Sequence, residues 1–174
     1  MQNSICTYEN KNVKIKICGL FREDDAVAIN AALPDFTGFV FYPKSPRAVD
    51  FETAKKIKKN LNPKILTVGI FVNEKIENVL KLFKAKIIDI AQLHGLEDKN
   101  YIKILKDKSD LKIIKAVKAG STILLPDNAD YFLFDTPDKK LHGGTGKTFD
   151  WSLIPNINKP VFLAGGLNHT NIEY

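Results

Sequence analysis

The sequence predicts an α/β fold in which strands and helices alternate and the strands form a parallel sheet. Short β-rich runs are followed repeatedly by stretches with the helical spacing of apolar residues. Several strand candidates, VGIFV at 68–72, YFLF at 131–134 and VFLA at 161–164, are apolar at nearly every position. Strands have this composition when helices cover a parallel sheet. Such a sheet either closes into a (βα)8 barrel or stays open and doubly wound.

The individual elements follow in chain order from the same signals. The first predicted strand spans residues 13–18, and the helix after it, 23–33, ends before Pro34, which cannot continue a helix. Further predicted strands are 37–41, 65–72, 87–93, 111–117, 131–135 and 160–164, and further predicted helices are 50–61, 74–83 and 97–106. The connections over 118–130, broken by Pro126, and over 150–154 are too short or too interrupted for full helices.

This pattern gives seven strands and no eighth. A (βα)8 barrel typically takes about 250 residues and seldom fewer than about 200, whereas this chain has 174. The glycine patterns of dinucleotide-binding and P-loop folds, which would support an open sheet, do not occur in the sequence. We therefore predict a polar N-terminal tail at 1–12 and one domain over 13–174, either a barrel short of its last strand and helices or an open doubly wound sheet.

Composition and charge exclude several classes of protein. No apolar run is long enough to span a membrane, and the polar N-terminus has no signal-peptide core. The two cysteines, Cys6 and Cys18, form no framework of spacings, so we expect a cytoplasmic protein without disulfides. The net charge of +6 comes from lysine runs on helix faces without interleaved aromatic residues, so we expect no nucleic-acid partner.

Reactive and polar residues follow the predicted strands, at the edge where barrels and open α/β sheets carry their sites. They are a thiol, an arginine, an imidazole, a carboxylate and a glycine pair: Cys18, Arg47, His94, Asp135, Gly165 and Gly166. A glycine-rich loop, HGGTGK at 142–147, lies between the last two strands. Each of these residues alone has an ordinary structural explanation, such as packing, a solvated charge or a turn. Their shared location is what suggests a site.

Together these residue types can move protons without a metal. A thiol becomes a usable base when a neighbouring cation lowers its pKa towards neutrality, and a carboxyl group in a partly dry cavity can have its pKa raised and donate a proton. Arginine is suited to binding a carboxylate, and paired glycines before a helix are suited to a phosphate. The three histidines, His94, His142 and His169, do not have the spacing of a metal site.

Other chemistries find less support. A serine hydrolase would need a GxSxG elbow, which the sequence does not contain. A cysteine protease would need a histidine paired with Cys18, and His94 is the one candidate. An aldolase would need a lysine in an apolar pocket, for which Lys115 in IIKAV is the candidate.

Seven segments, taken in chain order, resemble the phosphoribosylanthranilate isomerase family of tryptophan biosynthesis: KICGL, FYPKSPR, VGIFVN, QLHG, FDT, GGTGKTFDW and LAGGL. Their combination, from about residue 14 to about residue 171, is far more specific than any one of them. The resemblance implies a TIM (βα)8 barrel, here lacking the eighth strand and the last helices. It also implies an isomerase without a cofactor, which converts N-(5-phosphoribosyl)anthranilate to 1-(2-carboxyphenylamino)-1-deoxyribulose 5-phosphate by an Amadori rearrangement.

The same resemblance implies a role for each matching residue. Cys18 matches the family's general base, and Asp135 matches its general acid. Arg47 matches the residue that holds the anthranilate carboxylate. The other expected contacts to this small phosphorylated substrate are a phosphate cradle with Gly165 and Gly166, a lid that includes Gly144, and a pocket residue, His94.

The chain departs from the family pattern where it stops, near the start of the seventh helix. We expect the first and seventh strands to be unpaired edges. Either the sequence is part of a longer, active enzyme, or the chain is poorly stable and needs a complementing chain or an oligomer to close the ring, and the isolated chain should turn over slowly. A truncated, non-catalytic barrel module for phosphorylated ligands or for assembly is therefore the alternative function. A neighbouring activity, indole-glycerol-phosphate synthesis, would need a lysine and a glutamate at strand ends, which mid-strand Lys115 does not match.

Overall fold

The computed structural model describes residues 13–121, 125–136, 150–168 and 171, which form one parallel sheet with helices between the strands. The strands are β1 (Lys16–Cys18), β2 (Phe36–Val40), β3 (Leu66–Phe71), β4 (Ile90–Leu93), β5 (Lys112–Lys118), β6 (Tyr131–Asp135) and β7 (Val161–Leu163). The helices are α1 (Asp25–Ala32), α2 (Phe51–Asn60), α3 (Ile76–Lys84) and α4 (Lys99–Lys108), and a single 3-10 turn covers Trp151–Leu153. Each strand pairs in parallel with the next one in the chain.

The sequential strand order confirms the barrel prediction. A doubly wound sheet reverses its strand order at a switch point, and the order from β1 to β7 contains no reversal. The sheet also curls. This is shown by the rings of Phe36 on β2 and Phe162 on β7, which meet edge to face with centroids 5.3 Å apart. A flat sheet would hold these two strands more than about 20 Å apart. The open doubly wound alternative is therefore wrong.

All seven predicted strands and all four predicted helices are present, with small shifts at their ends. Two strands begin three residues later than predicted, β1 at Lys16 and β4 at Ile90. Ile87 and Ile88 precede β4 and are buried in the outer core, so their apolar character reflects packing rather than strand pairing. Within 119–121 and 125–130, the described parts of the connection to β6, no helix forms, as the breaks in the sequence predict.

The helices begin and end where local chemistry dictates. Asp50 and Asp98 are the N-caps of α2 and α4, and their side chains accept hydrogen bonds of 2.8 Å from the third backbone N–H of each helix. Helix α1 ends at Ala32, and its C-cap Leu33 has a left-handed φ of 46° and immediately precedes Pro34. No helix in the described segments is long and apolar enough to cross a membrane.

Two hydrophobic layers hold the sheet. The interior cluster lies on the concave face and consists of strand residues only: Phe36, Val40, Val68, Ile70, Ile90, Ile114, Ala116 and Leu133. The outer core joins the alternate strand residues to the helices, and its fully buried side chains include Phe39, Phe71, Ile57, Ile102 and Leu105. Successive strand residues point to opposite faces, so each strand supplies both layers.

The sheet has two edges within the described residues. There β1 pairs with β2 alone and β7 with β6 alone. Both edge strands are partly exposed, whereas β2, β4 and most of β3 and β6 are fully buried. The two edge strands are therefore less protected from solvent than the strands between them.

A half-buried carboxylate anchors the end of the sheet opposite to the predicted site. Asp89 Oδ2 accepts hydrogen bonds from the backbone N–H of Thr67 at 2.7 Å and from Lys58 Nζ at 2.8 Å. Burial raises the pKa of Asp89, but the hydrogen bonds from Lys58 and Thr67 outweigh it and hold the pKa below its usual value. Asp89 thereby connects α2, β3 and the start of β4.

Asp89→Asn is expected to lower the free energy of unfolding at neutral pH by about 1–2 kcal/mol, because Lys58 loses a charged acceptor. A lowered folded-state pKa stabilises the protein above the unfolded value of about 3.9, and this contribution is lost as pH falls through the folded value. The difference between wild type and variant should therefore shrink in acid, as measured by urea unfolding at pH values of about 7 and about 3. Asp107→Asn, at an exposed pair with Lys103, is the control and should change stability by less than about 0.5 kcal/mol. If wild type keeps the same advantage over Asp89→Asn in the free energy of unfolding in acid, the explanation is contradicted.

Candidate active site

The Cys18 side chain lies at the end of β1 and packs against the interior cluster. The thiol is unpaired and partly exposed. Its register partner on β2 is Gly38, where a β-carbon would come within 2.9 Å of Cys18 Sγ. The missing side chain at Gly38 therefore makes room for the thiol inside the barrel.

Arg47 folds back over the strand end that carries the thiol. Its Nη1 donates a hydrogen bond of 2.8 Å to the backbone carbonyl of Cys18. Gly19 permits this approach, because a β-carbon there would come within 2.4 Å of Nη1 and the residue has a φ of +97°. A backbone bridge between Val40 and Ala48 holds the loop against β2. The guanidinium thus lies beside the Cys18 backbone while Arg47 itself is exposed.

His94 and Asp135 meet at the mouth of the barrel although β5 separates their strands. His94 Nε2 lies 3.4 Å from Asp135 Oδ2, and the two side chains are only 16% and 10% exposed. Both side chains face the barrel interior, because side chains two or four positions apart in a strand share a face. Ile90 is four residues before His94, Leu133 is two residues before Asp135, and both belong to the interior cluster. The structure therefore joins two residues that the sequence analysis assigns to separate strand ends.

The end of β7 packs directly against Asp135. The backbone N–H of Thr136 donates a hydrogen bond of 2.8 Å to Asp135 Oδ1. A β-carbon at Gly165 would come within 2.8 Å of the same Oδ1 and within 2.0 Å of Thr136 Oγ1. Gly165 and Gly166 have φ values of +91° and +64°, which side chains disfavour. Two glycines are therefore required for this turn to lie beside the carboxylate.

The sequence analysis does not single out Gln92, a buried polar residue on β4. Its amide nitrogen lies 3.0 Å from His94 Nδ1. Its register partners on the neighbouring strands, Ile70 and Ile114, are apolar. A glutamine at an inward position of an otherwise apolar strand was the signal in the sequence that could have identified it.

The predicted site residues form two groups at the carboxyl-terminal edge of the sheet. One group contains the thiol and the guanidinium, and the other contains the imidazole, the carboxylate and the glycine turn. Gly144 and its loop lie outside the described residues, as does Cys6.

Lys115, the candidate for an aldolase lysine, points away from the barrel interior. It alternates with Ile114 and Ala116, which face inward. Its Nζ lies 2.8 Å from the carbonyl oxygen of Gly95 and 3.1 Å from Glu97 Oε2. Burial lowers the pKa of Lys115, and the Glu97 carboxylate offsets part of this effect. Lys115 is therefore a buried structural partner rather than a nucleophile at the mouth.

Glu97 joins the loops that follow β3 and β4. Its two oxygens accept hydrogen bonds from the backbone N–H groups of Asn73 at 2.6 Å and Gly95 at 2.9 Å. Asn73 Oδ1 in turn accepts from the N–H of Leu96 at 2.7 Å. These contacts fix the loop immediately after His94, so the Lys115–Glu97 pair supports the mouth from the outer layer.

Other regions offer less for chemistry. A cleft of about 550 Å³ lies between the β2–α2 loop and α3, with Tyr42, Asp50, Glu74 and Asn78 on its walls, and none of the predicted site residues lines it. Among the side chains that the structure describes, no three His, Cys, Asp or Glu residues are grouped as metal ligands would be. The strand ends are therefore the best candidate for the active site.

The curled sheet and the reactive groups at its carboxyl-terminal edge define a TIM-barrel protein with an enzyme-like mouth. The sequence model of the family described as N-(5'phosphoribosyl)anthranilate (PRA) isomerase matches residues 15–174. The chain belongs to the PRA isomerase family.

Curated relatives agree with this assignment. The N-(5'-phosphoribosyl)anthranilate isomerase of Endomicrobium trichonymphae is 47% identical over 160 residues, which cover 91% of this chain and 80% of the relative. The enzyme of the same name from Hahella chejuensis is 42% identical over 173 residues, and the match covers 79% of that relative.

Solved structures share the fold. The phosphoribosyl anthranilate isomerase of Thermotoga maritima is 34% identical with a TM-score of 0.78, and the match covers 92% of this chain and 80% of that one. The enzyme from Thermus thermophilus has a TM-score of 0.80 at 28% identity over the same shares. A further isomerase, 29% identical with a TM-score of 0.70, was solved in complex with reduced 1-(o-carboxyphenylamino)-1-deoxyribulose 5-phosphate, and the match covers 93% of this chain and 80% of that one.

Proposed function

We propose that this chain catalyses the PRA isomerase reaction of tryptophan biosynthesis, with Cys18 as general base and Asp135 as general acid. The observation that carries the proposal is that both residues, which match the family's motifs, occupy inward positions at strand ends of one curled sheet. A thiol and a carboxyl group at opposite sides of a mouth are suited to successive proton transfers on one bound sugar.

The reaction requires one acid and one base. Asp135 donates its proton to the furanose ring oxygen, the bond from this oxygen to C1 breaks, and the anthranilate nitrogen forms a C1=N double bond. The Cys18 thiolate then removes the proton from C2. The electrons of the broken C2–H bond form a C1=C2 double bond, and the electrons of the C1=N double bond return to nitrogen. The resulting enol tautomerises to the C2 ketone. Each proton transfer typically contributes about 10²–10⁴-fold to the rate.

The ends of the substrate orient it for these steps. Arg47 is proposed to bind the anthranilate carboxylate through its remaining N–H groups, and the support is its position beside Cys18. The turn at Gly165 and Gly166 is proposed to bind the phosphate through backbone N–H groups. Gly144 is proposed to belong to a lid over the substrate. Holding a substrate at both ends lowers the entropic part of the barrier.

A complementing chain or an oligomer is proposed to cover the edges at β1 and β7. The support is that each of these strands has one pairing neighbour among the described residues and is partly exposed. A parallel strand between them would satisfy their outward backbone groups.

The cytoplasmic location and the division into a tail at 1–12 and a barrel over 13–174 also stay predictions.

A growth experiment tests the proposed function. The chain is expressed in cells that lack PRA isomerase, alone or with the segment of the Endomicrobium relative that lies beyond the match. We expect growth without tryptophan when both polypeptides are present, and no growth when Cys18 is replaced by alanine. No growth from a wild-type pair that is present and folded in the cells would refute the proposal. Retained binding of the reduced deoxyribulose compound would then favour the non-catalytic module.

A further inference from the structure

Gln92 is a buried polar side chain that the mechanism above does not use. It is 3% exposed and lies beside apolar Ile70 and Ile114 of the interior cluster. Its Oε1 is buried and accepts no hydrogen bond from any residue in the described segments. A buried polar atom without a partner costs about 1–3 kcal/mol. Stability alone therefore does not explain a glutamine at this position.

The amide group of Gln92 can decide which nitrogen of His94 carries the ring proton. An amide nitrogen donates and never accepts, so His94 Nδ1, at 3.0 Å, must be the acceptor and carry no proton. In a neutral ring the proton then lies on Nε2. Nε2 is the nitrogen that lies 3.4 Å from Asp135 Oδ2.

The opposite orientation of the amide is less favourable. It would place N–H groups where Oε1 now lies without a partner, and an unsatisfied buried N–H is tolerated less often than an unsatisfied carbonyl. It would also turn the lone pair of His94 Nε2 towards the Asp135 carboxylate, since Nδ1 would then carry the proton.

We propose that Gln92 is a positioning residue, which keeps the ring proton of His94 on Nε2 so that this N–H faces the carboxyl group of Asp135. The inference rests on the proposed function, in which Asp135 is the general acid. As Asp135 loses its proton to the substrate, Oδ1 accepts from Thr136 N–H at 2.8 Å and Oδ2 faces the imidazole N–H. Donors in place at both oxygens stabilise the charge that develops there.

The other tautomer would work against catalysis. An unprotonated Nε2 beside Asp135 would accept the proton that the substrate ring oxygen needs. With the proton already on Nε2, the neutral ring has no free lone pair at that nitrogen and does not compete with the substrate for the proton of Asp135.

Nitrogen-15 NMR of the histidine rings tests the tautomer without any need for turnover. At alkaline pH, where a free imidazole is neutral, we expect His94 to show a protonated Nε2 and an unprotonated Nδ1, with the signals assigned by their loss in His94→Gln. Gln92→Glu presents an acceptor instead of a donor and should move the proton to Nδ1. Gln92→Met removes the donor at Nδ1, so the Nδ1 tautomer should become more populated than in wild type, although the carboxylate beside Nε2 still favours a proton there. A wild-type ring with its proton on Nδ1 overturns the proposal.

A double-mutant cycle tests the effect of Gln92 on turnover. The kinetics are measured with the chain combined with the complementing segment of the Endomicrobium relative. Gln92→Met should lower kcat about tenfold to a hundredfold with little change in KM, as the loss of an orienting partner does. In His94→Gln, which has no tautomer to fix, the same substitution should lower kcat little further. Equal losses in both backgrounds would assign Gln92 to packing and overturn the proposal. If wild type and Cys18→Ala are equally inactive while the ring shows the expected tautomer, the proposed function fails and the tautomer assignment stands.

Discussion

Cys18→Ala and Asp135→Asn are each expected to lower kcat about 10²–10⁴-fold, or about 3–5 kcal/mol of barrier. Alanine removes the group that takes the C2 proton, and asparagine keeps the shape of the carboxyl group while it removes the proton that opens the furanose ring. Neither change removes the groups proposed to bind the carboxylate and phosphate ends of the substrate. The affinity for the reduced deoxyribulose compound should therefore change little in either variant.

The measurement follows anthranilate fluorescence during turnover, together with titration of the reduced compound. Cys6→Ala and Asp107→Asn are matched controls, since Cys6 precedes the barrel and Asp107 is exposed on α4, and both should keep the wild-type kcat. A loss confined to ligand affinity would assign the two residues to binding. Unchanged kcat in either variant would remove that residue from the proton-transfer steps.

Lys115→Met is expected to lower the free energy of unfolding by about 3–5 kcal/mol, which is the range for breaking one side of a buried ion pair. Lys115 and Glu97 are 8% and 6% exposed, so the remaining carboxylate would be buried without its cation. Glu97 also holds the loop after His94 through Asn73 and Gly95, so the mouth should lose order as well. Proteins of this size have total stabilities of about 5–15 kcal/mol, and this loss is a large part of that.

Equilibrium urea unfolding measures the effect, and Glu97→Gln supplies the key comparison. In Lys115→Met/Glu97→Gln the uncompensated charge is gone, and the amide oxygen can still accept from one of the two loop N–H groups. The double variant should therefore be more stable than Lys115→Met alone. Lys112→Met, at a lysine that is 60% exposed on the same strand, should change stability by less than about 0.5 kcal/mol. A double variant no more stable than the single one would contradict the account.

The strands and helices could be predicted because their signals are local. Runs such as YFLF are buried on both sides, and β6 lies at the residues predicted for it, Tyr131–Asp135. The start of β4 could not be predicted, because Ile87 and Ile88 are as apolar as strand residues but are buried in the outer core without belonging to the strand. Whether an apolar residue pairs or only packs depends on neighbours that come from elsewhere in the chain.

For the site residues, the sequence could predict only that they lie at the carboxyl-terminal edge of the sheet, where the strands end. Cys18 and Asp135 lie at such ends, and this much follows from the order of apolar runs and reactive residues. The contacts of His94 with Gln92 and Asp135, and of Lys115 with Glu97, depend on register between strands and on side-chain direction. These are three-dimensional facts, and a single sequence does not specify them.

The strand order also has a consequence for how the chain folds. Residues paired in neighbouring strands are 17 to 30 positions apart in the chain, so each strand pairs with strands that are adjacent to it in the sequence. Each βα unit can add to the one before it at a small cost in loop-closure entropy, much as modules add in a solenoid. Contacts across the interior, such as the one between Phe36 and Phe162, have the greatest chain separation. We expect them to form last, when the growing sheet bends back on itself.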